Sequence, residues 1–135
     1  MSLLQDMTLS LANTVFEGHR FDCLPISGEQ EVLQVQVSGL EEMPIYVTVT
    51  DTQILCISYL FKKSELKEGS INELNALLLE LSLPMPLSSF GMVGDHYVIY
   101  GALALTATAE HVMKELTTLA GNAVDALQTL EPYLK

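Results

Sequence analysis

The stretch Pro84-Met-Pro-Leu-Ser-Ser-Phe-Gly-Met-Val-Gly-Asp-His-Tyr-Val-Ile-Tyr-Gly-Ala-Leu-Ala-Leu105 decides the fold. A Pro-Met-Pro stop precedes two apolar runs, Leu87–Val93 and His96–Leu105, and only Gly94-Asp95 separates them. Gly accepts the positive φ that a two-residue turn requires, so the pair predicts a β-hairpin. Thr106–Leu130 follows with helical period and places Val112, Leu116, Leu119, Ala123, Leu127 and Leu130 on one side. A hairpin feeding a long helix gives one sheet face a lid, and the rest of the chain must supply the remaining strands.

Upstream of the stop, Ser70 and Glu73 have the spacing of a capping box. They open a helix with Ile71, Leu74, Leu78 and Leu81 on its buried stripe, which Leu77 and Leu79 widen. Pro84 ends it near Ser82, because the residue before a proline avoids the α region. Lys62–Gly69 is a charged connection. Gln53–Phe61 is apolar on both faces, with Leu55, Ile57, Tyr59 and Phe61 against Ile54, Cys56 and Leu60. Such a strand needs cover on both sides, from a central position or from a second subunit.

Further back, Ile45–Thr50 and Val32–Val37 alternate with the period of half-buried strands in an antiparallel meander. Ile45, Val47 and Val49 take one face and Tyr46, Thr48 and Thr50 the other. Phe21–Ile26 is a short strand pushed to an edge by Pro25, which has no N–H to donate. Ser2 to Phe16 carries Leu4, Met7, Leu11 and Val15 on one helical face, with a Ser2–Gln5 capping box and Gly18 as its stop. The expected fold is a single α+β domain over residues 1–135. It has an antiparallel sheet of five or six strands covered by helices, in the order α-β-β-β-β-α-β-β-α. A last helix of about 23 residues runs about 34 Å. Five strands span only about 24 Å, so the helix crosses the sheet obliquely and overhangs it or meets another subunit. Ala120, Gly121 and Ala123 permit close backbone approach along it.

Six Lys plus Arg stand against 17 Asp plus Glu, a formal charge of −11. Phosphate backbones and anionic membrane surfaces are bound through clustered cations, and this chain offers only Lys62, Lys63 and Lys67. Nucleic acid is therefore not an expected partner. No window has the ~18 consecutive apolar residues of a membrane span, and the first residues lack a signal-peptide pattern. A cytoplasmic protein without a transmembrane segment is expected. Two cysteines, Cys23 and Cys56, in strand-like runs suit small buried hydrophobes better than a disulfide framework.

Chemistry-bearing patterns are weak. His111 and Glu115 at i, i+4 lack a third and fourth ligand and read as an exposed helix pair. Gly91-Met92-Val93-Gly94 leads into a strand, whereas phosphate cradles open onto a helix N-terminus. Ser88-Ser89 lacks the surroundings of a nucleophile elbow. No catalytic residue, metal or cofactor is implied. Tyrosine suits interfaces through its apolar body and polar tip. Tyr46, Thr48 and Thr50, joined by Tyr59 or, depending on register, by Ser58, are the candidate partner-binding residues on the outer face of the sheet.

The order of elements resembles the type III secretion chaperone-like fold, most of all between Leu74 and Leu130. The run Pro84-Met-Pro-Leu-Ser-Ser-Phe-Gly with Tyr97-Val-Ile-Tyr-Gly-Ala-Leu resembles the bacterial YjfI-like family, whose function is unknown. These are packing motifs, and no catalytic or binding residue carries over with them. Phe21–Ile26 looks like one extra strand relative to the chaperone-like pattern. The resemblance implies a PspA-like membrane-stress protein as a partner, and the chaperone-like fold implies a small acidic homodimer. The expected function is that of a non-catalytic, chaperone-like or regulatory adaptor. The alternative is a small-ligand or catalytic domain with a pocket under the C-terminal helix, lined by His96 and acidic groups.

Overall fold

The computed structural model describes residues 2–135. Helix α1 (Leu3–Ala12) precedes strands β1 (Phe21–Ile26), β2 (Val32–Val37), β3 (Ile45–Val49) and β4 (Ile54–Lys62). Helix α2 (Ile71–Ser82), the hairpin of β5 (Ser89–Val93) and β6 (His96–Leu103), and helix α3 (Ala109–Leu130) follow. The six strands form one antiparallel sheet in the order β1-β2-β3-β4-β6-β5. This is the expected α+β architecture in the expected order, with Pro25 on an edge strand and Gly94 at φ 60° in the hairpin turn.

All three helices lie against the same face of the sheet. Leu33, Val35, Val37, Ile45, Val47, Ile54, Cys56 and Ile99 point into the core that they share with Leu4, Met7 and Leu11 of α1 and Leu74 and Leu78 of α2. Val112, Leu116, Leu119, Ala120, Ala123 and Leu130 of α3 complete it. At about 25 cal/mol per Å² of apolar surface removed from water, such a layer is the main source of stability. α1 and α3 also touch each other, which fixes them as one layer.

Local geometry departs from the sequence reading at several points. α1 stops at Ala12, where Asn13 caps it, and Val15 is exposed. Phe16 and His19 exchange backbone hydrogen bonds of 2.9 and 2.8 Å around Glu17 (φ 48°) and Gly18 (φ 83°). Gly18 therefore serves a tight reversal and not a helix stop. The capping box at α1 is present, since Gln5 N–H donates to Ser2 Oγ and Ser2 N–H donates to Gln5 Oε1, both at 3.1 Å. The one expected at α2 is absent, because Ser70 Oγ donates to the Lys67 carbonyl at 2.6 Å instead. Leu79 does not widen the α2 stripe and is 75% exposed. A β-bulge between Tyr59 and Phe61 turns Phe61 into the core beside Tyr97, with ring centroids 5.3 Å apart. Gly121 has open space where a side chain would go, so close packing is not its reason.

The far end of α3 is held within the chain. The short helix Glu131–Tyr133 places the Tyr133 carbonyl 2.8 Å from Lys67 N–H, and Lys135 N–H donates to the Glu65 carbonyl at 2.9 Å. The overhang thus meets the β4–α2 connection of its own chain and gives no support to a subunit contact there.

Candidate interaction surface

Among the described residues, no helix or further strand covers the face of the sheet opposite the helices. Register places Leu24, Gln34, Tyr46, Ile57, Tyr100 and Ser89 in one row across all six strands. A second row holds Thr48, Leu55 and Ala102, and a third holds Tyr59, Val98 and Gly91. Leu24 is 58% exposed and Tyr59 40%. The Tyr46 and Tyr59 rings meet edge to face at 5.7 Å, and Tyr59 meets the His96 ring in the same way at 5.3 Å. Such pairs contribute about 0.5–1.5 kcal/mol beyond their buried area. Gly91 leaves room for Tyr100, whose ring would stand 3.1 Å from any Cβ at that position. The charged strand residues of this face stand at its margins, Asp22 on β1 and Lys62 opposite His96 on β4 and β6. Its centre is aliphatic, aromatic or neutral.

Three of the four candidate residues fall together here. Tyr46, Thr48 and Tyr59 share the open face, whereas Ser58 is buried and donates to the Pro44 carbonyl at 3.1 Å. Thr50 lies past the end of β3, and its Oγ1 accepts the Gln53 N–H at 3.1 Å, so it shapes the β3–β4 turn. Leu24, Leu55, Ile57 and Tyr100 extend the patch. Their alternation was visible in the sequence, but their side of the sheet depends on pairing between distant strands.

His96 does not lie under α3. It stands on the open face, with its Nδ1 3.2 Å from the Asp95 carboxylate. A 240 Å³ cavity beside α3 is bounded by Leu81, Pro84, Met85, Asn122 and Asp125 and contains no His. Cys23 and Cys56 sit on β1 and β4, three strands apart. At about 4.8 Å per strand that separation is about 14 Å, beyond the ~7 Å that a disulfide spans. Burial pushes the Cys56 thiol up to about 12, aided by the nearby Glu115 charge, and burial with Asp22 pushes Cys23 up to about 11. Neither is a thiolate nucleophile at neutral pH.

Glu115 is the residue that the sequence reading misplaced. It is not the exposed partner of His111 but a buried side chain, 2% exposed. A Cβ built on Gly101 would fall on its carboxylate, so the missing side chain of Gly101 is what admits the acid. The Leu87 carbonyl oxygen crowds the same point, 2.8 Å from that Cβ. Burial pushes the Glu115 carboxyl up to about 7. The signal was available, since position 115 lies three residues after Val112 and four before Leu119, on the buried stripe. Asn122 was also missed. Its Nδ2 lies 3.0 Å from both the Pro86 carbonyl and Ser88 Oγ, clamping the Pro84–Ser88 bend to α3. Among the described residues no three His, Cys, Asp or Glu side chains converge as a metal site would require. No helix among them is long and apolar enough to cross a membrane.

Residues 3–134 match the family described as "Uncharacterized protein conserved in bacteria (DUF2170)". The chain is also 25% identical over 114 residues to "Uncharacterized protein YjfI" of Escherichia coli strain K12, and equally to that of Escherichia coli O157:H7. Each match covers 82% of this chain and 84% of the relative. With the match running from α1 through the final short helix, the chain belongs to the DUF2170 family of bacterial proteins.

Proposed function

We infer that the chain is a non-catalytic protein-binding module, chaperone-like or adaptor in character, whose helix-free sheet face receives another polypeptide chain. One observation carries this reading. All three helices cover one face, and the other presents a patch of Tyr46, Leu55, Ile57, Tyr59 and Tyr100, with Leu24 beyond Gln34 in the same row and charge only at its rim. Apolar centres with polar rims and enriched tyrosine are the anatomy of protein interfaces. The mixed rim of Asp22 against Lys62 permits a second copy despite the −11 charge, so a homodimer is part of the proposal. A different protein, such as the PspA-like partner that the family resemblance implies, would compete for the same face.

The test uses Tyr46→Glu with Thr48→Glu, beside Val47→Glu as a buried control. Wild type should scatter light as twice 14.8 kDa at micromolar concentration. The double variant should scatter as a monomer, melt near wild type, and lose the host protein that wild type captures. Tyr46 and Thr48 are half-buried on the open face, so the double variant loses little more than the Tyr46–Tyr59 ring contact, about 0.5–1.5 kcal/mol. A carboxylate at the fully buried Val47 costs several times more and unfolds the chain. A double variant that keeps both the dimer and the captured protein removes the open face from the account.

A further inference from the structure

Among the described residues, Glu115 has no ion-pair partner. It lies over the Cys56–Gly101 pair of the β4–β6 ladder, where the missing side chain of Gly101 admits it. The Leu87 carbonyl oxygen crowds the same point from the Pro84–Ser88 bend. A protonated Glu115 has a hydrogen to place between those two oxygens, and an ionised one has none. One proton therefore reverses the sign of the contact between α3 and the bend.

No other wall of this site gives way as easily. β4 and β6 each pair with a strand on both sides. α3 is anchored in the core by Val112, Leu116, Leu119 and Ala123. The bend forms neither helix nor strand, and Pro84, Pro86 and Leu87 are exposed. Asn122 Nδ2 ties it to α3 at the Pro86 carbonyl and Ser88 Oγ. Leu87 sits at φ 60°, a left-handed conformation that costs energy and that a released segment gives up. With both of its neighbours clamped, Leu87 has no room for a small shift, so the bend stays or lets go as a unit.

The surroundings leave Glu115 as the group that titrates. Burial pushes its carboxyl up to about 7. Cys56 faces it from β4 and is pushed up to about 12, so the thiol stays neutral across that range. Tyr100 of β6 is on the opposite face of the sheet, and neither the bend nor β2 carries an ionisable side chain. Asp6 of α1 and Glu110, His111 and Lys114 of α3 are exposed.

We propose that the Pro84–Ser88 bend is a flap gated by one proton, held on α3 while Glu115 is protonated and released when Glu115 ionises. Release breaks both Asn122 bonds and opens the 240 Å³ cavity that Pro84, Met85 and Asn122 help to bound. The flap is separate from the helix-free face, so the outcome at one does not decide the other.

Nuclear magnetic resonance of the labelled full chain tests this. The proton–nitrogen NOE of the Met85 and Leu87 amides, which reads fast backbone motion, should fall to about half between pH 5 and pH 8 in the wild-type protein. Over the same range Val47 in the core of β3 should not change. The fall should share its midpoint with the side-chain carboxyl carbon of Glu115. Glu115→Gln cannot ionise and should keep the pH 5 values at pH 8. Should that variant fail to fold, the shared midpoint in the wild-type protein still decides. Three results overturn the proposal: an NOE at Met85 and Leu87 that is constant from pH 5 to pH 8, a fall whose midpoint differs from that of the Glu115 carboxyl, or a fall that persists in Glu115→Gln.

Discussion

Gly101→Ala should lower stability by about 2–3 kcal/mol, the upper range for inserting a methyl into a packed core. For a chain of this length that corresponds to a fall of about 10 °C in melting temperature. The new methyl would land on the Glu115 carboxylate and within 2.8 Å of the Leu87 carbonyl. The acid is the flexible end of a side chain and can swing aside. The carbonyl cannot, because Leu87 is held at φ 60° between Pro86 and Ser88, and Asn122 clamps both of these to α3. A left-handed non-Gly residue already costs about 1–2 kcal/mol, so the bend has little slack to absorb a clash. Combining Gly101→Ala with Glu115→Ala should recover the share due to the carboxylate. The two changes should then couple by about 1 kcal/mol in a double-mutant cycle. Strictly additive losses in thermal melts would show that the two residues do not meet as described.

Glu115 predicts an unusual pH dependence. Its carboxyl is pushed up to about 7 in the folded chain from an ordinary value of 4.5, and the cause is burial. Between those values the folded state holds a proton that the unfolded state has released. Stability contributed by this group is therefore complete below the unfolded value and is lost as pH rises towards the folded one. The loss between pH 5 and pH 8 is up to about 3 kcal/mol, at 1.36 kcal/mol per unit. Glu115→Gln keeps the shape and cannot ionise. It should melt close to wild type at pH 5 and about 8–10 °C above it at pH 8, on the usual conversion for domains of this size. Parallel melting curves for the two proteins across that range would contradict a buried, proton-holding Glu115.

The hairpin, the strand order along the chain and most element boundaries were legible because their signals are local. Gly94-Asp95 needs only its own φ angles, and alternation in Val32–Val37 and Ile45–Val49 needs only the pleat. What escaped depends on residues far apart in sequence. The acid at 115 is buried because β6 offers a glycine there. Phe61 changes face through a bulge that alternation alone cannot foresee. Gly18 matched a helix stop locally, yet Asn13 had already ended α1 and the glycine closes a reversal. For the candidate surface, the sequence carried the set of alternating residues. The side left uncovered follows from where three helices dock, and Leu24 and Tyr100 join Tyr46 only through pairings across the whole sheet.

The most direct measurement of the helix-free face as a contact surface is side-chain footprinting of Tyr46, Leu55, Ile57 and Tyr59 in intact host cells, compared with dilute purified protein. The account predicts that these four are labelled in the dilute protein and protected in the cell, while exposed residues of the helical side such as Leu9 label equally in both. Equal labelling of the four in the two settings would contradict it.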